Sequence, residues 1–260
     1  MTRVYIHSVG YVPVGEHWSR SLADLMVDAA LSALKGFSGR IDRIIVGNML
    51  SGYVNHQEHL GALLASSLGM KGVEALKVEA ACGSGGMAVH EGYVSVKSGE
   101  YGNVLVVGVE KMKDADTSVI TKALAMAESA DFTQVVGASF ISLNALLMRM
   151  YMNRYGVEEE YLDYFPMIAH KNAVTAPHAQ FRRAFSLEEI KRSPYIAEPI
   201  RLLSSAPSSD GAAAVILSSR PGEVEIAASE VATNELMISQ RENPLRFDAT
   251  AAAFRRATEK

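Results

Sequence analysis

A layered α/β fold on one largely parallel sheet is what this sequence predicts. Three observations predict it. Strand-like apolar runs alternate with amphipathic helical segments through residue 110. The run NVLVVGV at 103–109 is apolar almost throughout, as a strand covered on both faces must be. After a long interruption, SSDGAAAVILSS at 208–219 returns to the same buried-strand character.

RVYIHSVGYVPV reads as a first strand, ending at Pro13 and Gly15. In SRSLADLMVDAALSALKG, Leu22, Leu25, Met26, Ala29, Ala33 and Leu34 recur at helical spacing. Ser19 or Ser21 is placed to cap that helix and Gly36 to end it. IDRIIVGNML is a second strand. NHQEHLGALLASSLGM is a second helix, with Leu60, Leu63, Leu64 and Leu68 on one face. VEALKVEAA is a third strand, GSGGMAVHEGYVSVKSG a third helix, and NVLVVGVEKM a fourth strand.

The rhythm breaks over 112–203. This segment holds ten of the eighteen Tyr and Phe residues and six of the twelve Met, and it is richer in helix and turn signals. Helices are expected near 137–155 and 158–173, with EEEY at 158–161 as an acidic first turn. In SLEEIKRS, Ser186 followed by Glu189 forms a capping box. The economical reading is one α/β sheet with a mostly helical insertion between its fourth and fifth strands. GEVEIAASEVATNE reads as one more strand. DATAAAFRRATEK reads as a helix from Asp248 with Ala251, Ala252 and Phe254 facing inward.

Bulk composition narrows the function classes. The chain has 260 residues, 48% of them hydrophobic and 21% charged, enough apolar material for a sizeable core. A net charge of −4 gives no general pull toward nucleic acid or anionic membrane. The single cysteine excludes an internal disulfide and a thiolate metal cluster. The first residues, MTRVYIHSVGYVPVGEHW, lack the layout of a signal peptide, and no stretch is long and apolar enough for a spanning helix. A cytoplasmic protein is expected, bound to neither nucleic acid nor membrane.

That cysteine, Cys82, lies in KVEAACGSGGMAVHEG, where the third strand hands over to the third helix. Reactive groups of open α/β sheets gather at the carboxyl ends of strands. A thiol in a helix's first turn meets unpaired amides and the positive end of the macrodipole, which favour thiolate. Gly83, Gly85 and Gly86 leave room for a substrate carbonyl. The competing reading is that cysteine is a small buried hydrophobe in most proteins. A phosphate cradle fits poorly, because GSGG lacks the dinucleotide spacing and no P-loop lysine follows.

The stretch VEAACGSGGMAVHEGYVSVKSGEYGNVLVVGVEKM closely resembles the nucleophile segment of thiolases, most of all the archaeal acetyl-CoA acetyltransferase and sterol-carrier-protein-X branch. HKNAVTAPHAQFRR and EPIRLLSSAPSSDGAAAVIL are similar to two further motifs of that family, and the resemblance covers essentially the whole chain. It implies a thiolase-like layered fold: an N-terminal βαβαβαββ half carrying an inserted, mostly helical loop domain. The boundaries it implies are 1–111 with 204–220 for the α/β domain, 112–203 for the loop domain, and 221–260 for the start of a second half. It implies acyl transfer through Cys82 as the acylated nucleophile, with a CoA thioester as substrate and no separate cofactor or metal. Gly83, Gly85, His170, His178, Arg182 and Arg183 become substrate-binding candidates. Arg182, Arg183, Lys191 and Arg192 read either as a solvated face or as contacts to CoA phosphates. Feeding of isoprenoid or other lipid synthesis by short-chain condensation is the metabolic setting the resemblance implies.

Thiolases also use two second-half groups, a histidine that activates the nucleophile and a cysteine that moves the α-carbon proton. Neither motif occurs in these 260 residues. His90 follows Cys82 by eight residues, about two helical turns, too far to serve. His56 and His59 read as lining a dimer surface or the site; they have no third ligand for a metal. The expectation is therefore a chain inactive alone, working as a homodimer or with a partner chain that supplies the second half. The alternative is a non-catalytic thiolase-derived subunit that binds acyl-CoA or acts as a scaffold. Either way, the helix after Cys82 should show apolar residues such as Met87 and Val94 to solvent.

Overall fold

The computed structural model describes residues 2–259. They form two compact units. The first comprises residues 2–115, 209–233 and 248–259; the second comprises 116–208 and 234–247.

In the first unit the chain runs β1 (Tyr5–Gly15), α1 (Leu22–Leu34), β2 (Arg43–Gly47), the single turn α2 (Ser51–Val54), α3 (Leu60–Ser67), β3 (Glu74–Val78), α4 (Ser84–Ser98) and β4 (Asn103–Glu110). Ser21 caps α1: its hydroxyl accepts from the Asp24 amide while the Asp24 carboxylate accepts from the Ser21 amide, two otherwise orphan donors satisfied at once. Past the helix end, Gly36 takes φ +81°, a conformation open to glycine without strain.

The second unit is built on α5 (Thr117–Ala125), α6 (Phe140–Tyr155), α7 (Glu159–Ala173) and α8 (Leu187–Arg192), with a small hairpin of β5 (Tyr195–Ala197) and β6 (Ile200–Arg201). The acidic first turn of α7 and the Ser186–Glu189 box of α8 form as the sequence predicts.

Three further elements follow: β7 (Asp210–Ser218), β8 (Val224–Glu225) and α9 (Asp248–Thr258). The sheet order is β3-β2-β4-β7-β1-β8. β3, β2 and β4 are mutually parallel, while β7 runs antiparallel to both β4 and β1. This is a βαβαβαββ half, a mixed α/β layer with a central sheet, as the resemblance implies; the sheet expected to be largely parallel is mixed, because β7 enters between β4 and β1 and runs antiparallel to both.

Side-chain alternation sends the sheet's two faces to different helices. Ile44, Val46, Leu105, Val107, Ala214 and Ile216 pack against Leu25, Met26 and Ala29 of α1 and Leu60 and Leu64 of α3. On the opposite face Ile45, Val104, Val106 and Leu217 pack against Ala88, Tyr93 and Val96 of α4. Gly47 lets α4 come close: a Cβ there would stand 2.5 Å from the Ser84 carbonyl oxygen.

Two expectations at the tail need correction. The strand expected over 222–235 is two residues long, pairing Val224 and Glu225 with Ile6 and Tyr5 on the edge of β1. Beyond it the chain leaves the sheet: Ile226 packs into the α4 layer, and Ser229 meets His90 at 3.0 Å. Strand-favouring composition makes no ladder without an edge to pair with. In α9, Ala252 is half-buried as expected, but Ala251 is exposed and Phe254 is 70% exposed. The inward face is instead Ala249, Ala252, Ala253 and Ala257. On α4, Val94 is exposed and Met87 only half-buried. Among the described residues no helix is long and apolar enough to cross a membrane.

Candidate active site

Cys82 is exposed on the turn that joins β3 to α4. The turn has a defined shape. Ala81 takes φ +47°, the left-handed region that a residue with a Cβ enters only at a cost of roughly 1–2 kcal/mol. The amide of Ala81 is taken up by the Glu79 carboxylate. Ser84 closes the turn from the helix side: its hydroxyl accepts from the Ala80 amide at 2.9 Å and donates to the Ala81 carbonyl at 2.6 Å. The amides of Gly83 and Ser84 fold back onto the carbonyls of Ala80 and Ala81. With Ala81 so fixed, Cys82 is turned outward rather than into the core.

Gly85 and Gly86 open the first turn of α4, and a Cβ at either would meet nothing within 4 Å. Their amides are among the orphan donors of a helix start and have no partner among the described residues. An exposed thiol, an open glycine pair and free amides at the positive end of a helix dipole are the parts that acyl transfer to sulfur requires. Among the described residues, no side chain hydrogen-bonds the Cys82 sulfur. The nearest histidine in sequence, His90, is held by Ser229.

The floor beneath this turn is a network that the sequence reading missed. Asn48, just after β2, ties three strand ends together. Its amide donates to the Val78 carbonyl of β3 at 3.3 Å, and its Nδ2 donates to the Val109 carbonyl of β4 at 2.9 Å. Its Oδ1 accepts from Ser51 at 3.0 Å. Glu110 ends β4, and its Oε1 accepts from the amides of Met49 at 2.7 Å and Leu50 at 3.2 Å. Burial, the largest influence, pushes the Glu110 carboxyl above the ordinary range, against the pull of those two amides, of Lys77 and of the Asn48 side chain. Lys77 bonds the Ser51 hydroxyl at 3.2 Å and Glu58 at 2.9 Å. The signal in the sequence was a charged residue, Glu110, closing an otherwise apolar strand.

The other candidates belong to the second unit. His170, on α7, donates through Nε2 to the Leu203 carbonyl at 3.1 Å and stands edge-on to Phe185, ring centroids 4.7 Å apart. Arg183 pairs with Glu189 at 2.6 Å and lies over Phe185. Arg182 reaches the Val174 carbonyl. His178 is half-way along the 174–186 segment that links α7 to α8. Lys191 pairs with Glu160 across α7 and α8 at 2.9 Å, and Arg192 is exposed. Among the described residues no group of three or more His, Cys, Asp or Glu is arranged to hold a metal.

A sheet of this order with a cysteine turn leading into its central helix defines a class. The profile of the thiolase N-terminal domain matches residues 13–221, and the chain belongs to the thiolase family, a family of acyltransferases. An acetyl-CoA acetyltransferase of Methanothermobacter thermautotrophicus is 36% identical over 269 residues, covering 99% of this chain and 69% of that protein. Among solved structures, an Ltp2-ChsH2(DUF35) aldolase superposes with a TM-score of 0.78 at 18% identity, over 100% of this chain and 70% of that one. Human mitochondrial 3-ketoacyl-CoA thiolase does so with a TM-score of 0.74 at 16% identity, over 99% and 77%.

Proposed function

We propose that this chain carries the acyl-accepting part of an acetyl-CoA C-acetyltransferase-type thiolase reaction. The Cys82 sulfur attacks the thioester carbonyl of an acyl-CoA. A new carbon–sulfur bond forms, the bond to the CoA sulfur breaks, and CoA leaves as a thiol with the proton Cys82 gives up. The observation that carries this reading is the turn itself: an exposed Cys82 beside a left-handed Ala81, just ahead in the chain of the open amides of Gly85 and Gly86. Those amides are suited to the oxyanion that develops on the carbonyl. Similarity to the archaeal acetyltransferase supports a short acyl group.

The first step needs a base for the thiol and the second, attack by the carbanion of another acyl-CoA, needs a base for the α-carbon proton; the described residues place neither at Cys82. We assign those groups to a second thiolase half, in sequence beyond these residues or on a partner chain. The contacts of CoA fall by this reading to His170, His178, Arg182 and Arg183, in a cytoplasmic enzyme that feeds isoprenoid or other lipid synthesis.

Incubation with acetyl-CoA followed by intact-mass analysis tests the proposal. The 260-residue chain is expected to gain little acetyl on Cys82, and a chain carrying the second-half motifs to restore it; Cys82→Ser abolishes the gain. Efficient turnover by the 260 residues alone would sink the shared-site reading. Among the described residues no side chain hydrogen-bonds the Cys82 sulfur, and this favours a second reading, a non-catalytic acyl-CoA-binding or scaffold subunit. That reading requires CoA binding with no acylation under any complementation.

A further inference from the structure

A half-buried carboxyl in the first unit has one oxygen that neither the fold nor acyl transfer to Cys82 explains. Glu110 uses one oxygen for the amides of Met49 and Leu50. Its other oxygen, Oε2, is sealed from solvent and has no hydrogen-bond partner among the described residues. A buried acceptor left open costs on the order of 1–3 kcal/mol, more for a charged group, so its persistence calls for a use.

Its position suggests one. Residues 104, 106 and 108 of β4 face α4, and by alternation Glu110 does too. Gly108 lies under the start of α4: a Cβ there would be 3.9 Å from the Gly85 Cα. Glu110 is two residues further along, about 7 Å at the rise of a strand, and so beyond the amino end of the helix, where the Cys82 turn lies. The loop Glu110 grips is the loop that stitches the ends of β2, β3 and β4 under that turn.

We propose that Glu110 is a positioning residue for Cys82, acting through the Asn48–Ser51 loop, and that the charge state of its carboxyl sets the reactivity of the thiol. The inference rests on the reading of Cys82 as an acylated nucleophile. A carboxylate formed here adds negative charge where thiolate and oxyanion must also form; a neutral carboxyl removes that opposition while keeping the loop in place. Burial of the group, which favours the neutral form, works in the same direction.

The charged and titratable groups around it are few. Lys77 and Glu58 are paired with each other. Glu79 accepts from the Ala81 amide. Lys111, just past the strand, pairs with Asp210 and Asp114. His56 and His59 flank Glu58 in the loop, and His90 is two turns along α4, held by Ser229. The facing residue of β7 is Gly211, which titrates nothing.

Alkylation of Cys82 by iodoacetamide, followed by intact mass between pH 5 and 9, tests this in the full chain without CoA or a second half. Glu110→Gln keeps an oxygen for Met49 and Leu50 but cannot ionise. It is expected to leave the melting temperature within a few degrees and to move the pH–rate profile toward acid, with alkylation severalfold faster near neutral pH. Glu110→Ala, which releases the loop, is expected to alter the rate per folded molecule in a way that Glu110→Gln does not. A Glu110→Gln profile that superimposes on the wild type overturns the proposal. So does a Glu110→Ala chain that is merely less stable, with unchanged reactivity when folded. Failure of acetyl transfer from acetyl-CoA, by contrast, would strike the acyl-transfer reading and leave this dependence measurable.

Discussion

Lys111 and Asp210 form an ion pair 2.9 Å long in which neither side chain is exposed to solvent. The two residues are 99 positions apart, Lys111 just past the end of β4 and Asp210 at the start of β7. Asp210 also accepts from the amides of Met112 and Lys113, both at 2.8 Å, and of His17 at 3.0 Å. Lys111 has a second partner in Asp114 at 2.7 Å. One carboxylate thus gathers the end of β4, the start of β7 and the loop after β1.

Removing one member of such a pair leaves an uncompensated buried charge, which costs about 3–5 kcal/mol. Lys111→Met is expected to cost that much in urea unfolding. The double variant Lys111→Met with Asp210→Asn is expected to cost less than the sum of the two single changes, because each single change strands the other's charge. A Lys111→Met chain within about 1 kcal/mol of wild type would show the pair to be dispensable.

The same pair sets a pH window. Burial pushes the Asp210 carboxyl up most strongly, but the bonds from His17, Lys113, Lys111 and Met112 together outweigh it and hold the group below its ordinary value. Its contribution is therefore present above the unfolded carboxylate value of about 3.9 and lost as pH falls through the lower folded value. For Lys111 burial pulls the value down most strongly, and Asp114 and Asp210 outweigh it upward. Its contribution is present below about 10.4 and lost as pH rises through the higher folded value. The stability gap between wild type and Asp210→Asn, from urea midpoints, should be flat between these limits and close on the acid side. A gap that persists unchanged well below pH 3 would refute the assignment.

Much of this fold was legible because its signals are local. The helical spacing in 22–34, the Ser21 and Ser186 caps and the apolar β4 each depend on neighbours within a few residues. The place of Cys82 on an open turn before α4 was legible because a strand end, a glycine cluster and a helix start are contiguous. The Lys111–Asp210 pair was not, since nothing near Lys111 announces a partner on β7. Glu110 was passed over for a similar reason: its partners, Met49 and Leu50, lie on a loop 60 positions earlier. The tail strand failed the other way. Val224 to Val231 has strand composition, but the pairing runs off the start of β1: Glu225 faces Tyr5 and the Ile226 amide reaches the Val4 carbonyl at 2.9 Å.

The contact of Gly47 with Ser84 predicts how the sheet holds the cysteine turn in place. A methyl group at 47 would press on the Ser84 carbonyl and Ala88. Gly47→Ala is expected to cost about 1–3 kcal/mol, the usual range for overpacking, and to shift the amino end of α4. Because that end carries the turn, the rate of Cys82 alkylation per folded molecule should change with it. An equal rate would mean that the turn is held by Ser84 and Glu79 alone.

Gly85 poses the opposite case. A Cβ at this position meets nothing, and its backbone φ is not in the left-handed region, so the fold gives no reason for glycine there. Alanine is the better helix former by up to about 1 kcal/mol. On structural grounds Gly85→Ala should be neutral or slightly stabilising in thermal unfolding. If the open amides receive the carbonyl of an acyl-CoA, the added methyl intrudes on the space that carbonyl must occupy. Acetyl transfer to Cys82, assayed with a complementing second half, should then fall by tenfold or more while alkylation by small iodoacetamide changes far less. Opposite signs in stability and acyl transfer are the mark of a glycine kept for a substrate. A Gly85→Ala chain with undiminished acetyl transfer would place the carbonyl elsewhere.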